Sequence, residues 1–480
     1  MRRWQIVTLY VICSFAAHFS QDALAQATIQ QILNNGPTDK RINIVYLSEG
    51  YTNTQLSCFI TDAAYTLNAM LSTPPYSVYR HYFNASAILV ASSDSGSDHP
   101  SRNIFRNTFF NSTFDSYGIA RLITIDVAGW RRVDSLLQLL MPEYDIVVMI
   151  VNDPEYGGSG GFPAIASVNS ASQEIVIHEL GHSFAGLGDE YSDPYPGYAD
   201  IEEPNTTRET RLGFIKWRAW ILSSTPIPTP QTSQYGTVVG LFEGAHYYTT
   251  GWYRPKLNCK MRTLGVQFCN VCSETIVKSI YRYVRPIESY SPMGSVISLA
   301  DSQFVSLSIV PIKPFSYIQW FIDGIQRNGA TSSSCTVSGT EIGIGQHTVH
   351  VIVRDTTSLV RNDSTSLLRD STSWAVHVSG TSLVENDLSD HMPKRYSLGQ
   401  NYPNPFNPTT IFSFSLPSKS FVSLKVFDLM GKEVTTVISE ELSIGSYTKQ
   451  WNPAAFSSGV YFYRLQAGIY SETKKLLLLR

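Results

Sequence analysis

Between residues 42 and 284 short apolar runs alternate with helical stretches, and after Pro286 they stop doing so. That change of pattern constrains the fold more than any other feature of the chain. Helix and strand periods cannot be exchanged without turning apolar side chains into water. Residues 42–47, 88–90, 122–125 and 146–151 read as strands, and 55–71, 130–140 and 170–185 as helices. An α/β domain over 26–285 is predicted. From 286 to 380 the chain turns all-β: Val305-Ser306-Leu307-Ser308-Ile309, 317–322 and 348–353 alternate, with Asp323-Gly324 as a hairpin turn. The polar, acidic stretch 381–395 reads as a linker, and 396–480 as a small β domain led in by Pro403, Pro405 and Pro408, which forbid helix.

Inside the α/β stretch lies His178-Glu179-Leu180-Gly181-His182. Histidines at i and i+4 share one helix face, so both imidazoles reach one zinc ion while the carboxylate between them sits beside it. With ten His in 480 residues the bare pattern arises by chance in roughly one chain in a hundred, so its context decides. Upstream, Ser170-Ala171-Ser172-Gln173 has the form of a capping box; Ile175, Val176, Ile177, Leu180 and Phe184 supply an apolar face; Gly186 and Gly188 end the helix. A catalytic zinc needs a third protein ligand and one open position. Asp189, just past the glycine turn, is the expected donor and Glu190 the alternative. Relative to the metzincin pattern, Gly186 and Asp189 each fall one residue late. Met261, in Asn258-Cys259-Lys260-Met261-Arg262, is placed to serve as the methionine turn beneath such a site. Tyr253 and Tyr191 are candidate donors to the oxyanion. Gly157-Gly158-Ser159-Gly160-Gly161 reads either as a lid over the cleft or as a plain connector.

Further motifs accompany the helix. They are Val45-Tyr46-Leu47-Ser48-Glu49-Gly50-Tyr51, Tyr82-Phe83-Asn84, Ser92-Ser93-Asp94-Ser95-Gly96, Gly240-Leu241-Phe242-Glu243-Gly244-Ala245, Gly251-Trp252-Tyr253-Arg254-Pro255 and Phe268-Cys269-Asn270-Val271-Cys272. With the run from His178 to Tyr191 they resemble the IgA-peptidase family of bacterial zinc metallopeptidases over about residues 38–285. The resemblance implies a secreted zinc endopeptidase with a metzincin-like domain, His178 and His182 as ligands and Glu179 as general base. It does not imply cleavage of immunoglobulin. One zinc ion is the expected cofactor, and calcium stays open. The segment from Tyr396 through Pro403-Asn404-Pro405-Phe406-Asn407-Pro408 to Ser458-Gly459-Val460-Tyr461 resembles the C-terminal sorting domain of type IX secretion cargo. That implies the secretion machinery as a partner and release from a Gram-negative cell by way of the periplasm. For 286–380 an immunoglobulin-like sandwich is the default, as a spacer or as a substrate- or glycan-binding module.

The first 25 residues, a basic start, an apolar core and Ala23-Leu24-Ala25, read as a signal peptide. No stretch of 18 apolar residues follows, so no integral membrane segment is expected. Cys58, Cys259, Cys269, Cys272 and Cys335 remain after cleavage. A bridge from Cys259 to Cys269 or Cys272 would pin the Met261 loop; a structural metal on these three thiols is the alternative, but its fourth ligand is not visible. A net charge of −3 without basic runs argues against nucleic acid as a partner. A monomer acting on protein or peptide substrates is expected. The competing class is a surface adhesin or glycan-binding protein whose zinc is only structural. Glu179 favours the enzyme, since a closed structural shell needs no adjacent base.

Overall fold

The computed structural model describes residues 27–479 except 196, 295, 316, 381–392, 394 and 454–455. The expected signal peptide and nearly all of the expected linker lie outside the described residues. The described chain is predominantly β, built of several sheets, and forms two compact units, one up to Thr381 and one from Ser382.

The first unit is organised by a six-stranded sheet. Its strands are β1 (Thr28–Leu33), β2 (Ile42–Glu49), β3 (Phe83–Leu89), β6 (Ile146–Val151), β7 (Gly158–Ser159) and β8 (Ala164–Ser167), in the spatial order β1-β3-β2-β6-β8-β7. The four inner strands run parallel, and the two edge strands pair antiparallel. Every residue of β2 and β6 is buried. Burial along the whole strand is what a parallel sheet covered on both faces imposes, and the residues are mostly apolar accordingly. The two-residue side-chain period divides them cleanly. Ile44, Tyr46, Val148 and Ile150 face one core with helices α1 (Leu56–Ser72), α3 (Ser172–Ser183) and α4 (Asn270–Tyr283). Val45, Leu47, Val147, Met149 and Val151 face the other, beneath α2 (Val127–Leu140).

Several elements differ from the sequence reading. The strand expected at 122–125 is split: Leu122 makes a single parallel bridge to Gly158 of β7, and β5 (Thr124–Ile125) pairs with β4 (Ser112–Thr113) outside the main sheet. Helix α2 begins earlier than expected because the Asp126 side chain accepts from Gly129 N at 2.7 Å. The capping box expected at Ser170 is not formed; Ala171 occupies the cap position without a side-chain bond. Helix α4 forms where the sequence reading has no helix; the Cys269 thiol caps it, accepting from Cys272 N.

Residues 287–379 add a three-stranded and a five-stranded sheet around their own core, with Trp320 and Trp374 stacked at 5.7 Å. Asp323 and Gly324, both at positive φ, make the two-residue hairpin turn that the twist of antiparallel strands favours. This region is fused to the first sheet. Ile312 and Leu368 join the α1/α3/α4 core, and buried Asp355 accepts hydrogen bonds from Tyr79 (2.6 Å) and Tyr281 (2.9 Å). The second unit, described by itself, has a three-stranded and a four-stranded sheet around Phe412, Trp451, Tyr463 and Leu465. Its proline-rich lead-in is non-helical and bends repeatedly, held where Asn401 N donates to the Tyr463 hydroxyl at 2.8 Å and Phe406 N to Leu477 O at 3.0 Å. No helix among the described residues is long and apolar enough to cross a membrane.

Candidate metal centre

Helix α3 follows β8 directly and is anchored at its first residue. Ser172 Oγ lies 2.9 Å from Ser167 Oγ and accepts from Gly157 N at 3.2 Å, tying the helix start to the sheet and to the glycine run. Val176, Ile177 and Leu180 are buried in the core. Burial of side chains of this size contributes about 1.5–3 kcal/mol each and fixes the helix's rotation. His178, Glu179 and His182 are left facing a cleft. At the C-terminal end Gly186 adopts φ +65°, and its N–H bonds to His182 O at 2.9 Å. This left-handed cap turns the chain back over the helix.

The fold-back brings three donor atoms together. His178 Nε2 lies 3.2 Å and His182 Nε2 3.3 Å from Asp189 Oδ1, and the two Nε2 atoms are 3.2 Å apart. A tetrahedral zinc with ligands at about 2.0–2.1 Å keeps its donors about 3.3 Å apart, so the triangle fits one ion with a fourth direction open. The ring orientations agree. His178 Nδ1 donates to Lys260 O at 3.0 Å and His182 Nδ1 to Leu187 O at 2.6 Å. A carbonyl can only accept, so each neutral ring presents a lone pair at Nε2. Asp189 Oδ1 is buried without a hydrogen-bond donor, as a ligand oxygen would be. Asp189 Oδ2 accepts from the Tyr247 hydroxyl at 2.5 Å.

Tyr247 was not among the candidates read from sequence. It sits with His246 at the tip of a hairpin between β9 (Phe242–Ala245) and β10 (Tyr248–Arg254), both tip residues at positive φ. Backbone bonds from His246 N to Asp189 O (3.0 Å) and from Tyr247 N to Tyr191 O (2.9 Å) clamp that tip onto the ligand segment. A residue-type motif cannot reveal this, since the tip carries none of the glycine or asparagine that usually marks such a turn. Tyr253 lies beyond a bulge in β10, where it pairs with Glu243 of β9. It exchanges backbone hydrogen bonds with Thr207, and it does not line the cleft.

The cleft has about 200 Å³ of free volume, and Glu179, His178, Asp189, Tyr191, Tyr247 and Arg121 are among its walls. Burial pushes the Glu179 carboxyl above the ordinary carboxylate range. Within the glycine run Gly158–Ser159 forms edge strand β7, the run lines the cleft through Gly158, Ser159 and Gly160, and Gly160 packs on Glu179 so closely that a Cβ there would lie 1.9 Å from Oε2. Beneath the helix Met261 is fully buried, and a Cβ on Gly181 would meet its sulfur at 2.6 Å. The Met261 loop also supplies the Lys260 carbonyl that orients His178, and Met261 O accepts from Glu190 N at 2.8 Å.

Glu190 does not join the histidines. It turns into a pocket with Cys259, Cys269 and Cys272, all free thiols, so the bridge expected from Cys259 is not formed; its sulfur stands 3.6 Å from that of Cys272. A third cluster, His99 with Asp153 and Glu155, already holds a cation: the Arg102 guanidinium contacts both His99 and Glu155.

Two imidazoles and a carboxylate around an open direction, with an unligated carboxylate alongside, are the donor set of three-ligand hydrolytic metal centres. The chain belongs to the IgA Peptidase M64 family, whose model matches residues 30–235 and 231–280, and is a peptidase. Residues 400–479 match the Secretion system C-terminal sorting domain, which marks the chain for type IX secretion to the cell surface or extracellular space. No curated protein matches the chain. Among solved structures, fibronectin(III)-like modules of Clostridium thermocellum CbhA match at 12% identity and TM-score 0.15, over 20% of this chain and 98% of that one. A Parabacteroides merdae beta-glucuronidase matches at 7% identity and TM-score 0.17, over 48% of this chain and 28% of that one. Likenesses this faint say nothing of the fold or activity of this chain.

Proposed function

We propose that the chain is an exported zinc-dependent endopeptidase that cleaves extracellular proteins or peptides as a monomer. In this reading residues 26–285 are a metzincin-like peptidase domain, 286–380 an immunoglobulin-like sandwich, 381–395 a linker and 396–480 the sorting domain. The observation that carries it is the triangle of His178 Nε2, His182 Nε2 and Asp189 Oδ1 with edges of 3.2–3.3 Å, set beside the Glu179 carboxyl in one cleft. Zinc bound there would supply Lewis-acid polarisation of the attacking water and of the scissile carbonyl.

The chain's own groups do the rest. Glu179, its basicity raised by burial, accepts a proton from the attacking water and returns it to the leaving amine. Gly160 leaves no atom where that carboxylate must stand. Tyr247 positions Asp189 by holding its outer oxygen, and Tyr191, in the cleft wall, is the phenol best placed to donate to the developing oxyanion. Glu179→Ala should retain zinc and lose peptide hydrolysis by about 10²–10⁴-fold, the usual contribution of a positioned general base. Hydrolysis of a protein substrate by that variant at the parental rate, with equal metal content, would remove Glu179 from the mechanism.

A further inference from the structure

The pocket that holds Glu190 is built from three separate pieces of chain. The segment after α3 brings Glu190, the Met261 loop brings Cys259, and the first turn of α4 brings Cys269 and Cys272. One ligand atom from each lies within 4.8 Å of the others, and all four side chains are buried.

The spacing is wrong for a disulfide and right for coordination. Cys272 Sγ lies 3.6 Å from Cys259 Sγ and 3.6 Å from Glu190 Oε1. A disulfide requires sulfurs about 2.05 Å apart. A tetrahedral ion with sulfur at about 2.3 Å and oxygen at about 2.0–2.2 Å holds its donors roughly 3.5–3.8 Å apart. Backbone N–H groups already point at the sulfurs, Cys269 N toward Cys259 Sγ at 3.2 Å and Cys272 N toward Cys269 Sγ at 3.5 Å. Such donors are placed to hydrogen-bond sulfur ligands from outside an ion's shell.

A second observation is independent of the sulfurs. Glu190 is 0% exposed, and its Oε2 has no hydrogen-bond partner, although Oε1 accepts from Asn205 at 3.0 Å. A buried carboxylate oxygen left without a partner is costly, and a cation removes that cost. A disulfide between two of the cysteines would leave both the carboxylate and the third thiol stranded.

We propose that Glu190, Cys259, Cys269 and Cys272 bind a structural divalent cation of the zinc class, with four protein ligands and no open position. Three thiolates select a thiophilic ion over calcium or magnesium. The site stands apart from the peptidase reading, and its purpose follows from its neighbours in sequence. Glu190 adjoins Asp189, and Cys259 adjoins Lys260, whose carbonyl orients His178. One ion would therefore tie together the two loops that complete the first centre, and keep three thiols from oxidation during export.

The test uses the full chain loaded with cobalt(II) and, separately, with zinc. Thiolate-to-cobalt charge transfer absorbs in the near ultraviolet, and the centre of His178, His182 and Asp189 contains no sulfur, so that band reports the second site alone. The parental chain should show the band, bind two zinc ions, and yield Cys259, Cys269 and Cys272 as alkylatable thiols by mass spectrometry after denaturation in chelator. Cys272→Ser should lose the band and one of two ions; His182→Ala should lose one ion and keep the band. Absence of the band in the parental chain, a disulfide among the three cysteines, or two ions retained by Cys272→Ser overturns the proposal. If Cys272→Ser does not fold, the band and the thiol map of the parental chain decide.

Discussion

Gly160→Ala adds a single methyl group and should cripple the enzyme without unfolding it. At Gly160 the new Cβ would lie 1.9 Å from Glu179 Oε2 and 2.5 Å from its Cδ, where side-chain carbons essentially never approach within 3.0 Å. Relief therefore requires a shift of about 1 Å or more, and the group that yields is the far end of a flexible side chain. The backbone at 160 is not left-handed, so alanine is tolerated there. Loss of chain entropy in the unfolded state even favours folding by about 0.4–1 kcal/mol. A misplacement of about 1 Å in a catalytic group costs on the order of 10²-fold in rate, or about 2.7 kcal/mol of transition-state stabilisation. The assay is kcat and KM on a fluorogenic peptide, with metal content and melting temperature measured on the same preparation. The expected result is kcat lower by about 10²-fold with zinc stoichiometry and Tm near parental. Parental kcat would refute the placement of Glu179 against Gly160, and loss of metal together with activity would show that the glycine supports the ligands rather than the base.

Three further outcomes are expected. Tyr247→Phe removes the hydrogen bond to Asp189 Oδ2 and should weaken zinc affinity or activity by about 10–100-fold, the usual effect of losing a ligand's outer partner, as read by competition with a chromophoric chelator. Asp355→Ala leaves the buried hydroxyls of Tyr79 and Tyr281 without their shared acceptor and should lower stability by about 2–4 kcal/mol in urea unfolding, far more than a surface change would. A chain ending at Gly380 should fold and hydrolyse peptides yet fail to leave its native host, whereas a chain ending at Arg285 should be insoluble because Ile312, Leu368 and Asp355 no longer cover the first core; soluble, active 1–285 would disprove that dependence.

The sequence alone determined the parts whose physics is local. A four-residue helical spacing places His178 and His182 on one face, a glycine turn brings the adjacent Asp189 and Glu190 back toward them, and the largely apolar runs at β2 and β6 announce strands of the central sheet. The motif spans a few residues, so neither loop lengths nor distant contacts enter. What the fold alone decided depends on contacts between segments far apart in the chain. Asp189 and Glu190 are neighbours with the same chemistry, and no local rule separates them. The Met261 loop and the Tyr247 hairpin, both hydrogen-bonded to that segment's backbone, fix it so that one carboxylate meets the histidines and the other three cysteines. Tyr253 carried the sequence cue, but strand β10 carries it away from the cleft while Tyr247 at the hairpin tip arrives. Gly160 gains its meaning only from the carboxylate against it, and residues 287–379 join the first unit only through buried side chains such as Asp355 and Leu368. Local periodicity sets which face a side chain takes; which partner it meets is set by long-range packing, where burial leaves no room for a second arrangement.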